Sequence, residues 1–492
     1  MKKKGISILN ILLCLGLLAG CQIIPDGSTG GAEEHVDVDA NGVCDDCNQS
    51  VVVSVDFYAV NDLHGKFLSS DSQPGVGGLT TYLKEAKASQ ENTILLSSGD
   101  MWQGSSESNL TRGQIINDWM SEMDFVSMTL GNHEFDWGTS YIAQNAEICD
   151  FPFLAINVYE KATNQRAPYC QPSIMVETGG AKIGIIGAVG DCYSSISSDK
   201  VQDVYFKTDG ELTSLVKAEA NRLRAAGADC IVYSLHDGTD GYDVSLSNGY
   251  VDLVFEGHTH SRYVNQDSKG VYHLQGGGEN KNISHAKIEV NIANNSVQTK
   301  TAENIANSVY GQKAEDPIIQ TLTTKYADAI AKGYEVLGYN KQYRDDSELE
   351  ALVAQLYLEK GLERWGNQYN IVLGGGFLRT RNPYNLYAGQ VYYSDVLSIF
   401  PFNNQIVLCS ISGYKLKSKF LETTKTDYYC AYSTYGDSIK NNINTNATYY
   451  VIVDTYTSQY TSNGLTEVAR YDETTFARDL LADYIKAGGF AK

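Results

Sequence analysis

The chain has 492 residues, of which 42% are hydrophobic and 20% charged, and its formal net charge is -21. That length exceeds one domain of ~100–200 residues, and the composition is that of a soluble globular protein rather than a disordered one. So acidic a surface excludes nucleic-acid polymers and anionic lipid surfaces as general partners. An anionic substrate would need metal ions or placed arginines to offset the repulsion.

The first element is a targeting segment. Lys2, Lys3 and Lys4 precede the apolar stretch "ISILNILLCLGLLAG", which is too short for a spanning helix of ~20 residues. Residues 1–20 therefore read as an export signal. The sequence "LAGC" resembles the lipobox of bacterial lipoproteins, which implies cleavage before Cys21 and a lipid on its thiol. The protein is then expected in the cell envelope, its only link to the membrane an N-terminal lipid, or secreted. Residues 21–50 read as a tether. Within it, Asp37, Asp39, Asn41 and Gly42 look like the start of a calcium loop that lacks its closing glutamate. Cys44 and Cys47, with His35 nearby, supply half of a zinc-like pattern. A small metal-binding segment and a solvated linker both remain open. Beyond Cys21 lie eight more cysteines; Cys149/Cys170 and Cys409/Cys430 are near in sequence, but spacing does not give connectivity.

From residue 51 onward, apolar runs of strand length ("VVVSVDFYAV", "NTILLSS", "FVSMTL", "AKIGIIGAV", "CIVYSL", "VDLVFE") alternate with helix-like segments such as "GGLTTYLKEAKAS". That alternation predicts a layered α/β domain over 51–305. In the linker, 306–335, "DPIIQTLTTKYADAIAKG" reads as one helix with Pro317 near its start. A second α/β unit, 336–492, opens with the helix "ELEALVAQLYLEKGLERW" and continues in strands around "NIVLGG", "QIVLCSISG" and "TYYVIVDTY".

Five apolar runs of the first domain finish in potential ligands: Asp62 and His64, then Asp100, then Asn132 and His133, then His236, then His258 and His260. Five of these are among only eight histidines in the chain, a placement that chance explains poorly. In layered α/β folds ligands gather at the carboxyl ends of strands, so the side chains are expected to converge. Mixed Asp, Asn and His donors suit divalent Zn, Mn or Fe. With His133 set aside, seven donors are too many for one tetrahedral ion and suit two ions ~3.5–4 Å apart sharing a carboxylate, for which Asp100 is the natural bridge.

The motifs "DLHG", "SSGDMWQG", "LGNHEFDWG", "SLHDG" and "GHTH", in this order, resemble the five metal motifs of the calcineurin-like metallophosphoesterases. With "LGGGFLR" and "SIFPFNN" downstream, residues 51–492 resemble the bacterial secreted 5'-nucleotidase and 2',3'-cyclic-nucleotide phosphodiesterase family. The resemblance implies a four-layer α-β-β-α sandwich followed by a smaller α/β C-terminal domain. It also implies two divalent ions, one held by Asp62, His64, Asp100 and His260, the other by Asp100, Asn132, His236 and His258. His133 would meet the phosphoryl or leaving oxygen, and Asp136 would orient it. Hydrolysis of nucleotide phosphate esters by metal-bound hydroxide is the activity implied, with the linker helix as a hinge.

The second domain would choose the substrate. Arg379 and Arg381 flank the glycine turn of "GGGFLRTR", and guanidinium groups there could grip phosphate or ribose oxygens. By the resemblance, Phe402 and Tyr456 match two aromatics that stack on a nucleobase, and Arg344 matches a phosphate-side arginine. Two departures stand out: Leu373 replaces the family's asparagine before the glycine turn, and "TSNGLTEVARYDE" stands where "GGD" is usual. The alternatives are a nucleotide-sugar or dinucleotide pyrophosphatase or another phosphoesterase, and a non-catalytic surface binding protein on the same scaffold. Oligomeric state is not legible.

Overall fold

A computed structural model of the chain describes residues 36–39, 41–48, 50–69, 74–237, 248–377, 385–422, 428–472 and 474–491. The strands of the first half, in chain order, are β1 (Val52–Val60), β2 (Thr93–Ser97), β3 (Phe125–Thr129), β4 (Phe153–Leu154), β5 (Val158–Glu160), β6 (Ser173–Thr178) and β7 (Ala181–Val189). They are followed by β8 (Val204–Phe206), β9 (Cys230–His236), β10 (Leu253–Glu256), β11 (Arg262–Gln266), β12 (Tyr272–Gly276), β13 (Asn282–Asn291) and β14 (Ser296–Ala306). One sheet runs β14-β13-β1-β2-β3-β4 and a second runs β11-β12-β10-β9-β7-β6.

Alternation along β1 explains the layering. Val53, Val55, Phe57 and Ala59 enter the core between the two sheets, while Tyr58 and Val60 join the core on the opposite face. Successive side chains of a strand point to opposite faces, so a strand apolar at nearly every position is buried on both sides. The inter-sheet core includes Phe57 against Phe255, with ring centroids 6.2 Å apart. The outer face of the first sheet is covered by helices Gly77–Ser89, Gln114–Glu122 and Thr139–Ile148 through Leu79, Leu83, Ile115, Trp119, Met120 and Ile142. Helix Asp209–Ala225 covers the second sheet through Val216, Ala220 and Leu223. This is the expected four-layer α-β-β-α arrangement. Within it β1, β2 and β3 run parallel, as do β7, β9 and β10. Their carboxyl ends therefore open on one edge of the sandwich.

The second half is a smaller α/β unit. Its strands are β15 (Val336–Asn340), β16 (Ile371–Phe377), β17 (Gly389–Tyr392), β18 (Ile406–Ser412), β19 (Tyr428–Tyr432), β20 (Thr448–Asp454) and β21 (Leu465–Arg470). Five form a sheet in the order β19-β16-β20-β18-β21, and β15 pairs with β17. Helix Asp346–Trp365 is capped by Asp345, which accepts the Glu348 N–H at 2.9 Å, and it packs through Val353, Tyr357 and Leu358. It rests directly on β16 because Gly374 has no side chain: a Cβ there would lie 2.5 Å from the Leu358 nitrogen.

One expectation needs correction. The stretch after Pro317 is not one helix but two, Pro317–Lys325 and Ala327–Gly333, broken at Tyr326. The break falls where Lys325 and Tyr326 both bond Asp118 of helix Gln114–Glu122, which ties that turn to the sandwich. Cys409 and Cys430, whose pairing the spacing left open, are not bridged. They sit on β18 and β19, separated by two strands, so at ~4.8 Å per strand they are ~14 Å apart, twice the Cα reach of a disulfide. Cys149 and Cys170 are likewise thiols.

Before β1, Asp37 accepts the N–H groups of Asn41 and Gly42 and the Asn291 amide, at 2.8–3.0 Å. The segment is thereby docked on β13. Its His35 lies outside the described residues, as does Cys21. Among the described residues no helix is long and apolar enough to cross a membrane.

Candidate active site

Each potential ligand follows a strand that ends at the same edge, and the backbone bends sharply to aim it. Asp62, His64, Asp100, His258 and His260 have φ between 49° and 84°, the left-handed region that non-glycine residues rarely adopt. Each such residue costs ~1–3 kcal/mol, and such strain clusters at functional sites. Gly131, between β3 and Asn132, approaches Asp100 so closely that a Cβ would lie 2.3 Å from Asp100 Oδ1.

The seven side chains named from the strand ends converge. Asp62 Oδ1 lies 3.4 Å from His260 Nε2 and 3.9 Å from His64 Nε2. Asp100 Oδ2 lies 3.1 Å from His236 Nε2, and Asn132 Oδ1 lies 2.9 Å from His258 Nδ1. Three overlapping groups, Asp62–His64–His260, Asp62–Asp100–His236 and Cys192–His236–His258, each keep their donor atoms within 4.8 Å of one another.

Hydrogen bonds behind the rings fix which nitrogen faces inward. His64 Nδ1 lies 3.0 Å from Gln103 O and His236 Nδ1 lies 2.6 Å from Ser98 O. Each Nδ1 therefore carries the proton it donates, which leaves each Nε2 aimed into the site, the usual support of a metal-bound imidazole. Two observations fit divalent cations here. His64 Nε2 and His260 Nε2 lie 2.8 Å apart, close enough for both to bind one cation. His236 Nε2 is fully buried beside the Asp100 carboxylate, a nitrogen–oxygen pair that one cation would share.

Electrostatics point the same way. Burial alone would raise the Asp100 carboxyl, but attraction to His236, then His133 and His64, holds it well below the usual carboxylate range. Burial opposes a proton on His236, yet Asp100 and Asp62 push it up to about 10. His258 is lowered by burial and by His236. Buried carboxylates cost several kcal/mol each unless cations compensate them, so the site attracts positive charge.

His133 stands beside this cluster, its ring centroid 5.4 Å from that of His64. Its N–H donates to Asp100 Oδ1 at 2.8 Å and its Nδ1 lies 2.7 Å from Asp136 Oδ2. Asp136 thus holds the Nδ1 proton and leaves Nε2 toward the site. Phe402, from the second domain, stacks on His133 with centroids 5.9 Å apart and planes 26° from parallel. The buried Arg478 donates to the carbonyls of Pro401 and Phe402 and holds that loop. Tyr456 packs edge-on against Tyr460, whose hydroxyl donates to the Tyr456 oxygen at 2.6 Å.

Arg344 makes its contacts within the second domain. Arg344 lies over the Phe490 ring at 4.3 Å, donates to Asn340 Oδ1 and approaches Glu348. Its contacts are those of a packing residue. Arg379 and Arg381 lie outside the described residues.

Glu134 is a residue that reading the strand ends passed over. Its carboxylate, fully buried, accepts N–H groups from Gly131, Asp100, Met101 and Trp102 at 2.7–3.2 Å. It therefore clips the Asp100 loop to the Asn132 loop. Burial and the nearby Asp100 raise it to about 7. The only sequence signal was its place between His133 and Asp136. Replacing Glu134 with glutamine sets an NH2 group against backbone donors and is expected to cost about 3 kcal/mol of stability. Metal affinity should fall about 10–100-fold, as for other groups that orient ligands. Thermal unfolding and metal titration check this, and a variant unchanged in both would show that the clip is dispensable.

Both halves of the chain match known families. Residues 55–262 match the family model described as calcineurin-like phosphoesterase, and residues 323–469 match that described as 5'-nucleotidase, C-terminal domain. Protein UshA of Yersinia enterocolitica is 25% identical over 417 residues, which cover 73% of this chain and 74% of that protein. The 5'-nucleotidase of Diplobatis ommata is 23% identical over 73% of this chain and 69% of its own length. Among solved structures, the 5'-nucleotidase precursor from Thermus thermophilus superposes with a TM-score of 0.67 at 19% identity. It spans 88% of this chain and 96% of that one, a likeness of fold.

Proposed function

Because the chain belongs to the calcineurin-like metallophosphoesterases that carry a 5'-nucleotidase C-terminal domain, and is a metal-dependent phosphoester hydrolase, we propose that it hydrolyses nucleotide 5'-monophosphates. The products are a nucleoside and inorganic phosphate, and 2',3'-cyclic phosphates open at the same centre. The observation that carries this reading is the meeting of seven donor side chains from five strand ends beside the His133–Asp136 pair.

In this reading Asp62, His64, Asp100 and His260 hold one divalent ion, and Asp100, Asn132, His236 and His258 hold the other. Bound there, two such ions acidify water and offset phosphate charge. The protein supplies the rest. Gln103 and Ser98 fix the inward nitrogens of His64 and His236. The Asp100 carboxylate, held ionised by its neighbours, sets the distance between the two halves. Asp136 keeps the His133 ring turned, so that a proton held at Nε2 passes to the leaving ester oxygen. Phe402, stacked on His133, offers its free face to a flat base, and Tyr456 supplies the second surface. Export is read from the sequence pattern alone: residues 1–20 direct the chain outward and Cys21 carries the lipid.

A panel of nucleoside 5'-monophosphates, 2',3'-cyclic nucleotides, nucleotide sugars and plain sugar phosphates, assayed with Mn or Zn, tests the substrate. The 5'-monophosphates are expected to give the highest kcat/KM, by about tenfold or more over the sugar phosphates, which corresponds to ~1.4 kcal/mol of recognition. Cleavage of non-nucleotide esters only would overturn the reading.

A further inference from the structure

A sixth strand end reaches the centre, and it brings a sulfur. β7 lies beside β9 in parallel register, Val189 opposite His236. The chain then turns at Gly190 into the short helical turn Asp191–Ser195. Gly190 N–H donates to His236 O at 3.1 Å, and Asp191 N–H donates to Asp237 Oδ2 at 2.9 Å. These bonds pin the turn against the end of β9. Cys192, buried, points its thiol inward, with Sγ 2.9 Å from the His236 carbonyl. Its Sγ and one nitrogen each of His236 and His258 all lie within 4.8 Å of one another. His236 Nε2, buried, lies 3.1 Å from Asp100 Oδ2.

We propose that Cys192 is a sulfur ligand to the ion held by His236 and His258. This rests on the two-metal reading above. On binding, the S–H bond breaks, its proton leaves to solvent water, and Sγ exchanges the His236 carbonyl for the cation. Neither the five strand-end motifs nor a C-x-x-C spacing marks this cysteine. The two halves of the centre then differ in kind. The Asp62–His64–His260 half offers only oxygen and nitrogen, whereas the His236–His258 half adds a soft thiolate. Thiolate selects zinc or cobalt over manganese or magnesium, so the second half should prefer zinc.

The test is the full chain with Cys44→Ser and Cys47→Ser, so that this pair contributes no thiolate, loaded with Co(II) alone. The expected result is two cobalt ions per chain and a sulfur-to-cobalt charge-transfer band in the near ultraviolet. That band should vanish when Cys192→Ser or Cys192→Ala is added. In parallel, the preference of the second half for zinc over manganese should fall by about tenfold or more in Cys192→Ser, as when a group that tunes a metal site is removed. Two bound cobalt ions with no such band, or with a band that survives both substitutions, would make Cys192 a packing residue and overturn the inference alone. Failure to bind cobalt would overturn the two-metal reading and this inference with it.

Discussion

Replacing Asp100 with alanine should lower kcat/KM by about three orders of magnitude or more, a loss of at least ~4 kcal/mol of transition-state stabilisation. Bound metal should drop from two equivalents to at most one. In the proposed reading Asp100 is the carboxylate shared by the two ions: Oδ2 lies 3.1 Å from His236 Nε2, while Oδ1 accepts the His133 N–H at 2.8 Å. It is buried, and its neighbours hold it ionised against the pull of burial. Without it, no oxygen pair remains to be shared, and His133 loses its backbone anchor. Asp100→Asn separates these effects. It retains an oxygen for the His133 N–H but removes the charge, so metal content should fall nearly as far. An Asp100→Ala protein with two bound ions and turnover within tenfold of the parent would refute the bridging role.

Replacing His133 with alanine should instead cut kcat by about 10²–10⁴-fold, the usual worth of a placed general acid, and leave metal content unchanged. The distinction follows from position. His133 stands next to His64 but belongs to none of the three donor groups, and its Nδ1 is engaged by Asp136. The loss should be smaller for an aryl phosphate than for a nucleotide, because an aryl oxide leaves without help from a proton. Asp136→Asn should cost less than His133→Ala, since the ring remains and only its orientation and basicity suffer. Loss of bound metal in His133→Ala would move the residue into the ligand set. An equal loss on both esters would assign it to phosphate binding rather than proton transfer.

How much of this could be read from residues alone differs from element to element. The strand ends were legible because buried apolar runs seldom finish in imidazoles and carboxylates. "FYAVNDLHG" and "LVFEGHTH" carry that contrast within a few positions. The left-handed backbone at Asp62, His64, Asp100, His258 and His260 was not legible, since none of these is a glycine and only the converged site forces the bend. Glu134 escaped notice because a glutamate near an acidic residue reads as solvated, while three of its four backbone donors come from the distant Asp100–Trp102 loop. The split at Tyr326 depends on Asp118, some two hundred residues earlier. The β13–β14 hairpin, which extends the first sheet, was missed because its outer strand is largely solvent-facing and carries little apolar signal. The state of Cys409 and Cys430 was left open because nearness along the chain says nothing about sheet order. Cys192 follows an ordinary apolar strand, and only its neighbour β9 brings its sulfur to the histidines.

The central claim is that these side chains hold two cations on which hydrolysis depends. The most direct measurement is metal content and nucleotidase turnover on one purified sample, before chelation, after it, and after divalent ions are restored. The account predicts two ions per folded chain, turnover lost as they are withdrawn, and turnover regained on their return. Full turnover in a folded chain stripped of divalent ions would contradict it.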